Sequence, residues 1–318
     1  MKRVIFMEIR KRMIPSSNDG KPIEWIKERE YIFFKVKFNK FRDVSYSSKN
    51  EILDKEEPEE CECVLTLPDS YSDDGEQTPL IISCHGAGSN VAEAENKIGG
   101  LNLVTRCIEA GYAALDVSGS VKNGLSMGCP EHIFALYKAY RYAIKHYNLT
   151  DRVLLSGASM GGHTALNFAH MYPSIVLCAG IFFPRLNMDG VMVNGHYCIG
   201  TWDKTERRNN GSSTRDKIIN IYRFPTEEWY EPNTVGSNPY RLRSFINSDG
   251  ERVVIPPCPV KIWQGTADTV TDPVMAKEFY DSIRRSGSYA ELHLLDGVSH
   301  NVTDVMREEQ LLWFNRFI

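Results

Sequence analysis

The sequence lacks the charge surplus and the long apolar segments that are typical of nucleic-acid-binding and membrane proteins. Its 318 residues carry a net charge of -4 at neutral pH, which provides neither a basic field for nucleic acid nor a cationic face for lipid. No apolar run reaches transmembrane length, and Glu8 and Arg10 interrupt the N-terminal run well short of a signal-peptide core. We therefore expect a cytoplasmic chain without nucleic-acid or membrane partners.

Motifs for metals and nucleotide cofactors are also missing. Among the eight cysteines, Cys84 and Cys178 lie inside apolar runs, where a reduced and buried thiol is the usual state. Cys61 and Cys63 are too close together for an easy metal pair, and no partner motif accompanies them. The glycine-rich segment 86–88 has neither the G-x-G-x-x-G spacing nor the lysine of a phosphate-binding loop. The sequence predicts no metal and no cofactor.

Apolar strands alternate with amphipathic helices along most of the chain, whose composition (42% hydrophobic, 25% charged) is that of an ordinary globular protein. Repeated β-α-β order predicts an α/β fold with a mostly parallel sheet and helices on both faces. The predicted strands are Tyr31–Lys40, Glu62–Leu67, Leu80–Cys84, Tyr112–Leu115, the strand before Ser159, Ser174–Phe182, Val260–Gln264 and Glu291–Leu295. The predicted helices are Ala92–Ala110, Pro130–Tyr147, one beginning at Met160, Pro273–Ser286 and Val305–Ile318.

The pattern divides the chain into an N-terminal extension with the first strands (1–60) and one α/β domain (61–318). Within the extension, the acidic stretch Asn50–Glu60 predicts a surface loop. Within the domain, residues of about 185–257 interrupt the β-α alternation and are rich in Asn, Arg, Gly and aromatics, which predicts an insertion. A cap or substrate-binding lobe and a helical packing decoration explain it equally well. In the first case Trp202 and Trp229 are candidate substrate contacts.

A candidate nucleophile lies in the segment Gly157-Ala158-Ser159-Met160-Gly161, which fits the pattern G-x-S-x-G. An apolar strand precedes it and a helix begins at Met160, whose free amides and positive dipole end are directed at the serine. The pattern also occurs by chance in ordinary strand-to-helix turns of α/β proteins. Its strand–turn–helix context favours a catalytic serine.

A serine nucleophile needs a base and an acid that orients the base. His300 is the candidate base, since it lies in a loop directly after the last predicted strand. Asp268 is the candidate acid, since it follows the preceding predicted strand, whereas Asp272 before Pro273 is better explained as a helix cap. His163, on the helix after the serine, is placed to line the site but not to reach back to the hydroxyl.

Donors for an oxyanion are expected in the segment His85-Gly86-Ala87-Gly88, directly after the strand Leu80–Cys84. Small residues there let backbone amides approach a substrate, so the N–H groups of Ala87 and Met160 are the candidate oxyanion donors. His85 and Gly88 are candidate substrate contacts in the same loop.

These four motifs together resemble the α/β-hydrolase superfamily, and within it the prolyl-oligopeptidase-type serine hydrolases and the group of feruloyl esterases, acetyl xylan esterases and polyhydroxybutyrate depolymerases. The resemblance covers about residues 62–318. It implies an eight-stranded, mostly parallel sheet, Ser159 as nucleophile, Asp268 as acid, His300 as base, and Ala87 and Met160 as oxyanion donors. The repeated blades of the β-propeller in prolyl oligopeptidases have no counterpart in this sequence.

The function expected from these residues is that of a metal-free serine esterase acting on a small ester, either a short-chain acyl ester or a sugar-linked one. The aromatic and polar side chains of the insertion would suit a sugar. Two alternatives stay open. One is a peptidase with the same three residues, and the other is a binding protein on a hydrolase scaffold, which typically lacks one of them.

Overall fold

The computed structural model describes residues 9–13, 29–42, 54–118, 126, 128–187, 196–203, 208–214, 245–246 and 253–318. The strands in these residues are β1 Ile9–Met13, β2 Arg29–Arg42, β3 Asp54–Thr66, β4 Thr78–Cys84, β5 Val91–Ala92, β6 Lys97–Ile98, β7 Ala113–Val117, β8 Leu149–Ala158, β9 Val176–Phe182, β10 His196–Asp203, β11 Arg208–Thr214, β12 Val260–Gly265 and β13 Ala290–Leu295. The α-helices are α1 Thr105–Glu109, α2 Pro130–His146, α3 Met160–Met171, α4 Pro273–Arg285 and α5 Asp304–Phe314, and short 3-10 helices span Gly99–Leu103 and Pro173–Ile175.

Nine of the described strands form one sheet in the order β1-β2-β3-β7-β4-β8-β9-β12-β13. From β7 to β13 all neighbours are parallel, whereas β1, β2 and β3 pair in antiparallel fashion. The predicted mostly parallel α/β fold is confirmed, with β1 as an additional strand beyond the eight expected. Because the parallel strands share one direction, the loops after β4, β8, β12 and β13 meet at the same edge of the sheet.

The two faces of the sheet are covered by different helices. One apolar cluster includes Leu136 of α2, Phe168 of α3 and Phe279 of α4, and the other includes Ile108 of α1 and Phe314 of α5. The central strand β4 is buried over almost its whole length, which explains its continuous apolar sequence. The prediction of helices on both faces is therefore confirmed.

The first two predicted strands are antiparallel neighbours, with Tyr31 opposite Thr66. The loop expected over Asn50–Glu60 is wrong for its second half, because β3 begins at Asp54. Pairing with β2 continues along this segment, with Lys37 opposite Glu60. Backbone hydrogen bonds to a long neighbouring strand outweigh the low strand preference of consecutive acidic residues.

The helix expected over Ala92–Ala110 is wrong. This stretch instead contains the short strands β5 and β6, the 3-10 helix Gly99–Leu103 and the single-turn helix α1. The break occurs at two glycines. Gly99 has a φ of 55°, and a Cβ atom on Gly100 would lie 2.2 Å from the carbonyl oxygen of Ser83. Close packing of this turn against β4 therefore overrides the helical preference of the Ala and Glu residues before it.

The predicted insertion is described only in part, so its role as a separate lobe stays a prediction. Strands β10 and β11 pair with each other in antiparallel fashion, and Trp202 lies opposite Asn209 in this pair. Phe245 and Ile246 are fully buried, and Ile246 forms an isolated bridge with Val253. Trp229 lies outside the described residues. No helix in the described part of the chain is long and apolar enough to cross a membrane.

Candidate active site

Ser159 lies between β8 and α3 in a strained turn. Its φ of 55° and ψ of -118° fall in a region that residues with a side chain rarely adopt. The turn requires glycine two residues later, because a Cβ atom on Gly161 would lie 2.0 Å from the carbonyl oxygen of Cys84. The first turn of α3 can therefore lie directly against the end of β4. This is the strand–turn–helix geometry in which a G-x-S-x-G serine is presented for attack.

Hydrogen bonds to the last residue of β9 and to the segment after it hold the backbone of Ser159 on both sides. The amide of Ser159 donates to the carbonyl oxygen of Phe182 at 3.0 Å, and the carbonyl oxygen of Ser159 accepts from the amide of Arg185 at 3.0 Å. A strained conformation persists only where its surroundings fix it. The residues from Phe182 to Arg185 provide that support.

The predicted acid and base are in contact. Asp268 follows β12 and His300 follows β13, and Nδ1 of His300 donates to Oδ2 of Asp268 at 2.8 Å. The two loops are also joined through their backbones, since the amide of Ala267 donates to the carbonyl oxygen of Val298 at 3.0 Å. With Nδ1 engaged, the other ring nitrogen of His300, Nε2, is the one left to accept a proton from a hydroxyl.

The Asp268 carboxylate is buried and fully hydrogen-bonded. Its Oδ1 accepts from the amides of Val270 at 2.8 Å and Thr271 at 3.0 Å, and its Oδ2 also accepts from the Thr271 hydroxyl and from Gln264 Nε2. Burial by itself raises the pKa of Asp268, but the hydrogen bond and charge of His300, together with the two amides, outweigh it and bring the pKa below its ordinary value. The group is therefore a fixed carboxylate that orients the imidazole.

Ser159 and His300 are placed at the same edge of the sheet without a hydrogen bond between them. Within the described residues, the Ser159 hydroxyl has no hydrogen-bond partner. In unliganded enzymes such contacts are often long and shorten only when substrate binds. Phe183 connects the two residues. It directly follows Phe182, whose carbonyl oxygen accepts from the Ser159 amide, and its ring centroid lies 4.3 Å from that of His300.

One candidate oxyanion donor directly follows the serine, and the other lies in the loop after β4. Met160 is the first residue of α3, so its amide has no acceptor within the helix. Ala87 is in the turn after β4, and a Cβ atom on the preceding Gly86 would lie 4.0 Å from Cβ of Ser159. Gly88 is exposed in the same turn with a φ of 82°. The structure thus brings the loop after β4 against the nucleophile turn.

Two histidines suggested as substrate contacts are enclosed by protein. His85 and His163 are 1% and 0% exposed. Nδ1 of His163 donates to the carbonyl oxygen of Arg185 at 3.0 Å, and its Nε2 accepts from Asn167 at 3.2 Å. Nδ1 of His85 donates to Oδ2 of Asp116 at 2.8 Å. Both imidazoles are held by these buried partners, and their roles as substrate contacts stay predictions.

Three residues near the site had no motif to mark them: Asp116, His132 and Phe183. The ring of His132 lies 5.7 Å from that of His85, and burial, followed by the charge of His85, lowers the pKa of His132 to about 3. One signal was available for Asp116, because a carboxylate at the end of the fully buried strand β7 must have a buried partner. Nothing local distinguishes His132 or Phe183.

The sequence model of the family described as serine aminopeptidase, S33, matches residues 136–306, which include Ser159, Asp268 and His300. The chain belongs to this family. Its fold is that of the α/β hydrolases. A search of curated protein sequences gives no significant match.

Solved structures of similar fold include both peptidases and esterases, all at low identity. A puromycin-hydrolysing peptidase of Mycobacterium tuberculosis is 15% identical over 81% of this chain (TM-score 0.55), and the chain spans only 37% of that protein. Est1E from Butyrivibrio proteoclasticus is 15% identical, with 81% of this chain and 94% of Est1E covered (TM-score 0.54). Acetyl xylan esterase 1 from Thermoanaerobacterium is 13% identical, with 99% and 89% covered (TM-score 0.52). At these identities the likeness concerns the fold.

Proposed function

We propose that this serine hydrolase is a carboxylic ester hydrolase with Ser159 as nucleophile, His300 as base and Asp268 as the residue that orients the base. One observation carries the proposal: the strained Ser159 at the start of α3 shares a sheet edge with an imidazole whose Nδ1 is bound to a buried carboxylate. This combination is what a serine needs in order to lose its proton to Nε2 of the histidine.

The proposed reaction has two halves. Nε2 of His300 takes the Ser159 proton while the hydroxyl oxygen attacks the ester carbonyl carbon, and the oxyanion accepts hydrogen bonds from the amides of Ala87 and Met160. The carbon–oxygen bond to the alcohol then breaks, and the alcohol leaves with the proton from His300. Water repeats the sequence on the acyl-enzyme, which releases the acid and restores the serine.

An ester is the favoured substrate, because its alcohol leaves with less protonation than the amine of an amide. The two esterases named above match this chain over nearly their whole length, which also supports the choice. An acylated sugar is a reasonable class of substrate, since the aromatic and polar side chains of residues 185–257 suit stacking on sugar rings and hydrogen bonding to hydroxyls. Good turnover of aryl esters without any turnover of acylated sugars would contradict this last part.

The test compares hydrolysis of p-nitrophenyl acetate and butyrate by the wild type, Ser159→Ala and the control Ser286→Ala, which alters an exposed serine at the end of α4. We expect kcat to fall about 10⁵- to 10⁶-fold in Ser159→Ala and to stay unchanged in the control. Labelling by a fluorophosphonate should follow the same pattern. A wild type that neither turns over esters nor is labelled would favour the binding-protein alternative.

A peptidase that uses the same residues is the second candidate, and the description of the matched family favours it. The discriminating measurement is the ratio of kcat/KM for an aminoacyl p-nitroanilide to that for a p-nitrophenyl ester. A ratio well below one supports the esterase. A ratio near or above one, lost in Ser159→Ala, would identify a peptidase.

A further inference from the structure

Phe183 follows β9 in a backbone conformation that is unusual for an aromatic residue. Its φ is 34°, and among the described residues the other positive values outside glycine belong to Asn96 and to Ser159 itself. Its amide donates to the carbonyl oxygen of Trp263 in β12 at 2.7 Å. Strained residues of this kind cluster at functional sites and persist where the surroundings fix them. The position of Phe183 therefore calls for an explanation in terms of function.

Two residues close to Phe183 in sequence form hydrogen bonds with the backbone of the nucleophile Ser159. Phe182 accepts a hydrogen bond from the Ser159 amide, and Arg185 donates one to the Ser159 carbonyl, both at 3.0 Å. The carbonyl of Arg185 is itself fixed by His163. A change in the backbone at Phe183 would therefore alter the position of the Ser159 backbone.

The ring of Phe183 contacts the candidate base. Its centroid lies 4.3 Å from that of the His300 imidazole at an interplanar angle of 51°. Phe183 is only 3% exposed and belongs to the apolar cluster that includes Trp263 and Met306, so it lies beneath the imidazole rather than in a substrate space. The hydrogen bond to Asp268 fixes one edge of the His300 ring, and an aromatic contact on its face restricts the rotation that a single bond allows.

We propose that Phe183 is a positioning residue, which holds the His300 imidazole in the orientation needed to take the Ser159 proton. The inference rests on the proposed function for its kinetic consequence, but its structural content concerns His300 alone. A displacement of a catalytic group by about 1 Å can cost on the order of a hundredfold in rate. The ring, and not merely an apolar side chain, is the feature that matters.

The kinetic test compares Phe183→Leu and Phe183→Tyr with Phe314→Leu. Phe314 lies in the same apolar cluster, is fully buried and makes no ring contact with His300 among the described residues, so its truncation is matched for lost packing. We expect Phe183→Leu to lower kcat by about ten- to a hundredfold with KM changed by less than about threefold. Phe183→Tyr, which keeps the ring, should restore kcat to within about threefold of the wild type, and Phe314→Leu should stay in that range.

A second readout needs no activity. The Nδ1 protons of His300 and His85 each lie in a 2.8 Å bond to a buried carboxylate, so both should give downfield proton resonances, assigned by their loss in His300→Gln and His85→Gln. In Phe183→Leu we expect the His300 resonance to broaden or disappear while the His85 resonance stays, and in Phe183→Tyr we expect both to stay.

The two readouts separate the possible failures. An inactive wild type would overturn the proposed esterase, while the resonances would still report on Phe183. An unchanged His300 resonance in Phe183→Leu would overturn the inference, as would equal losses of kcat in Phe183→Leu and Phe314→Leu at equal stability. In the latter case Phe183 would contribute packing alone.

Discussion

Two imidazole–carboxylate pairs lie near the nucleophile turn with the same bond and different surroundings. His300 donates from Nδ1 to Oδ2 of Asp268 at 2.8 Å, and His85 donates from Nδ1 to Oδ2 of Asp116 at 2.8 Å. The His300 side chain is 22% exposed, whereas both members of the other pair are 0% exposed. The bond alone therefore does not identify a catalytic pair. Access of a reacting group to the second ring nitrogen does.

The enclosed pair connects three parts of the fold. Oδ2 of Asp116 also accepts from the amide of Gly100 at 2.7 Å, and its Oδ1 accepts from the amide of Val117 at 2.8 Å. His85 directly precedes the loop that contains Ala87. The carboxylate at the end of β7 thus fixes both the 3-10 helix Gly99–Leu103 and the start of the candidate oxyanion loop, which is a structural task.

Substitution of Asp268 and of Asp116 by asparagine should give the largest difference between the catalytic and the structural pair. We expect Asp268→Asn to lower kcat by about 10⁴-fold, because an amide facing Nδ1 favours the wrong tautomer of His300. Asp116→Asn should lower kcat by less than about tenfold. It should instead lower the free energy of unfolding by about 1–3 kcal/mol, because one of the three N–H donors around the group loses its buried acceptor.

Steady-state kinetics and urea unfolding of both variants measure this difference. Urea titration also shows whether either variant remains folded under the assay conditions. Equal losses of kcat in folded Asp268→Asn and Asp116→Asn would contradict the assignment of one pair to chemistry and the other to structure.

His132, which lies beside His85, should make the free energy of unfolding depend on pH. Burial and the charge of His85 lower the pKa of His132 to about 3, while an unfolded histidine titrates near about 6.5. The unfolded state therefore takes up the proton first as the pH falls. Stability is fully present above about pH 6.5 and is lost as the pH falls toward about 3, by on the order of 1 kcal/mol per pH unit.

The variant His132→Gln tests this dependence, since glutamine keeps a hydrogen-bonding group for Ser126 but does not titrate. We expect urea unfolding between pH 7 and pH 4 to show a flatter profile for His132→Gln than for the wild type. The exposed His146→Gln serves as the control and should leave the profile unchanged. Parallel profiles for the wild type and His132→Gln would show that His132 is not the group responsible.

The sequence was sufficient to choose Asp268 and His300, because each follows a short apolar strand and strand ends of a parallel sheet meet at one edge. It was insufficient for the pair His85–Asp116. The glycine-rich loop predicts His85 as a substrate contact, whereas its hydrogen-bond partner Asp116 comes from β7 and is recognised only when β4 and β7 are side by side. Pairing between distant segments leaves no local pattern.

Contacts between segments that are distant in sequence also explain the errors in the predicted secondary structure. The segment around Ala92 has helical composition, but contacts of Gly99 and Gly100 with Asp116 and Ser83 fix a different backbone. Phe183 is an example of a site residue that the sequence does not indicate. Nothing in the sequence at the end of β9 reveals that Phe183, the residue after the strand, adopts a positive φ and contacts His300.

A third imidazole–carboxylate pair, His293–Glu309, is more exposed than the other two. His293 donates from Nδ1 to Oε2 of Glu309 at 2.8 Å, but their side chains are 39% and 27% exposed. Glu309 Oε2 also accepts from the indole of Trp263 at 2.7 Å and lies 3.3 Å from Nζ of Lys261, so it keeps partners when the histidine is removed. Solvent and these partners replace most of what the imidazole contributes.

We therefore expect His293→Gln to change the free energy of unfolding by less than about 0.5 kcal/mol and to leave kcat unchanged. Urea unfolding and p-nitrophenyl acetate hydrolysis measure both. A loss as large as that of Asp116→Asn would mean that exposure does not rank the three pairs, and that the hydrogen bond itself determines their contribution. The expected order instead follows burial, because an imidazole–carboxylate bond of one length contributes more as water is excluded from it.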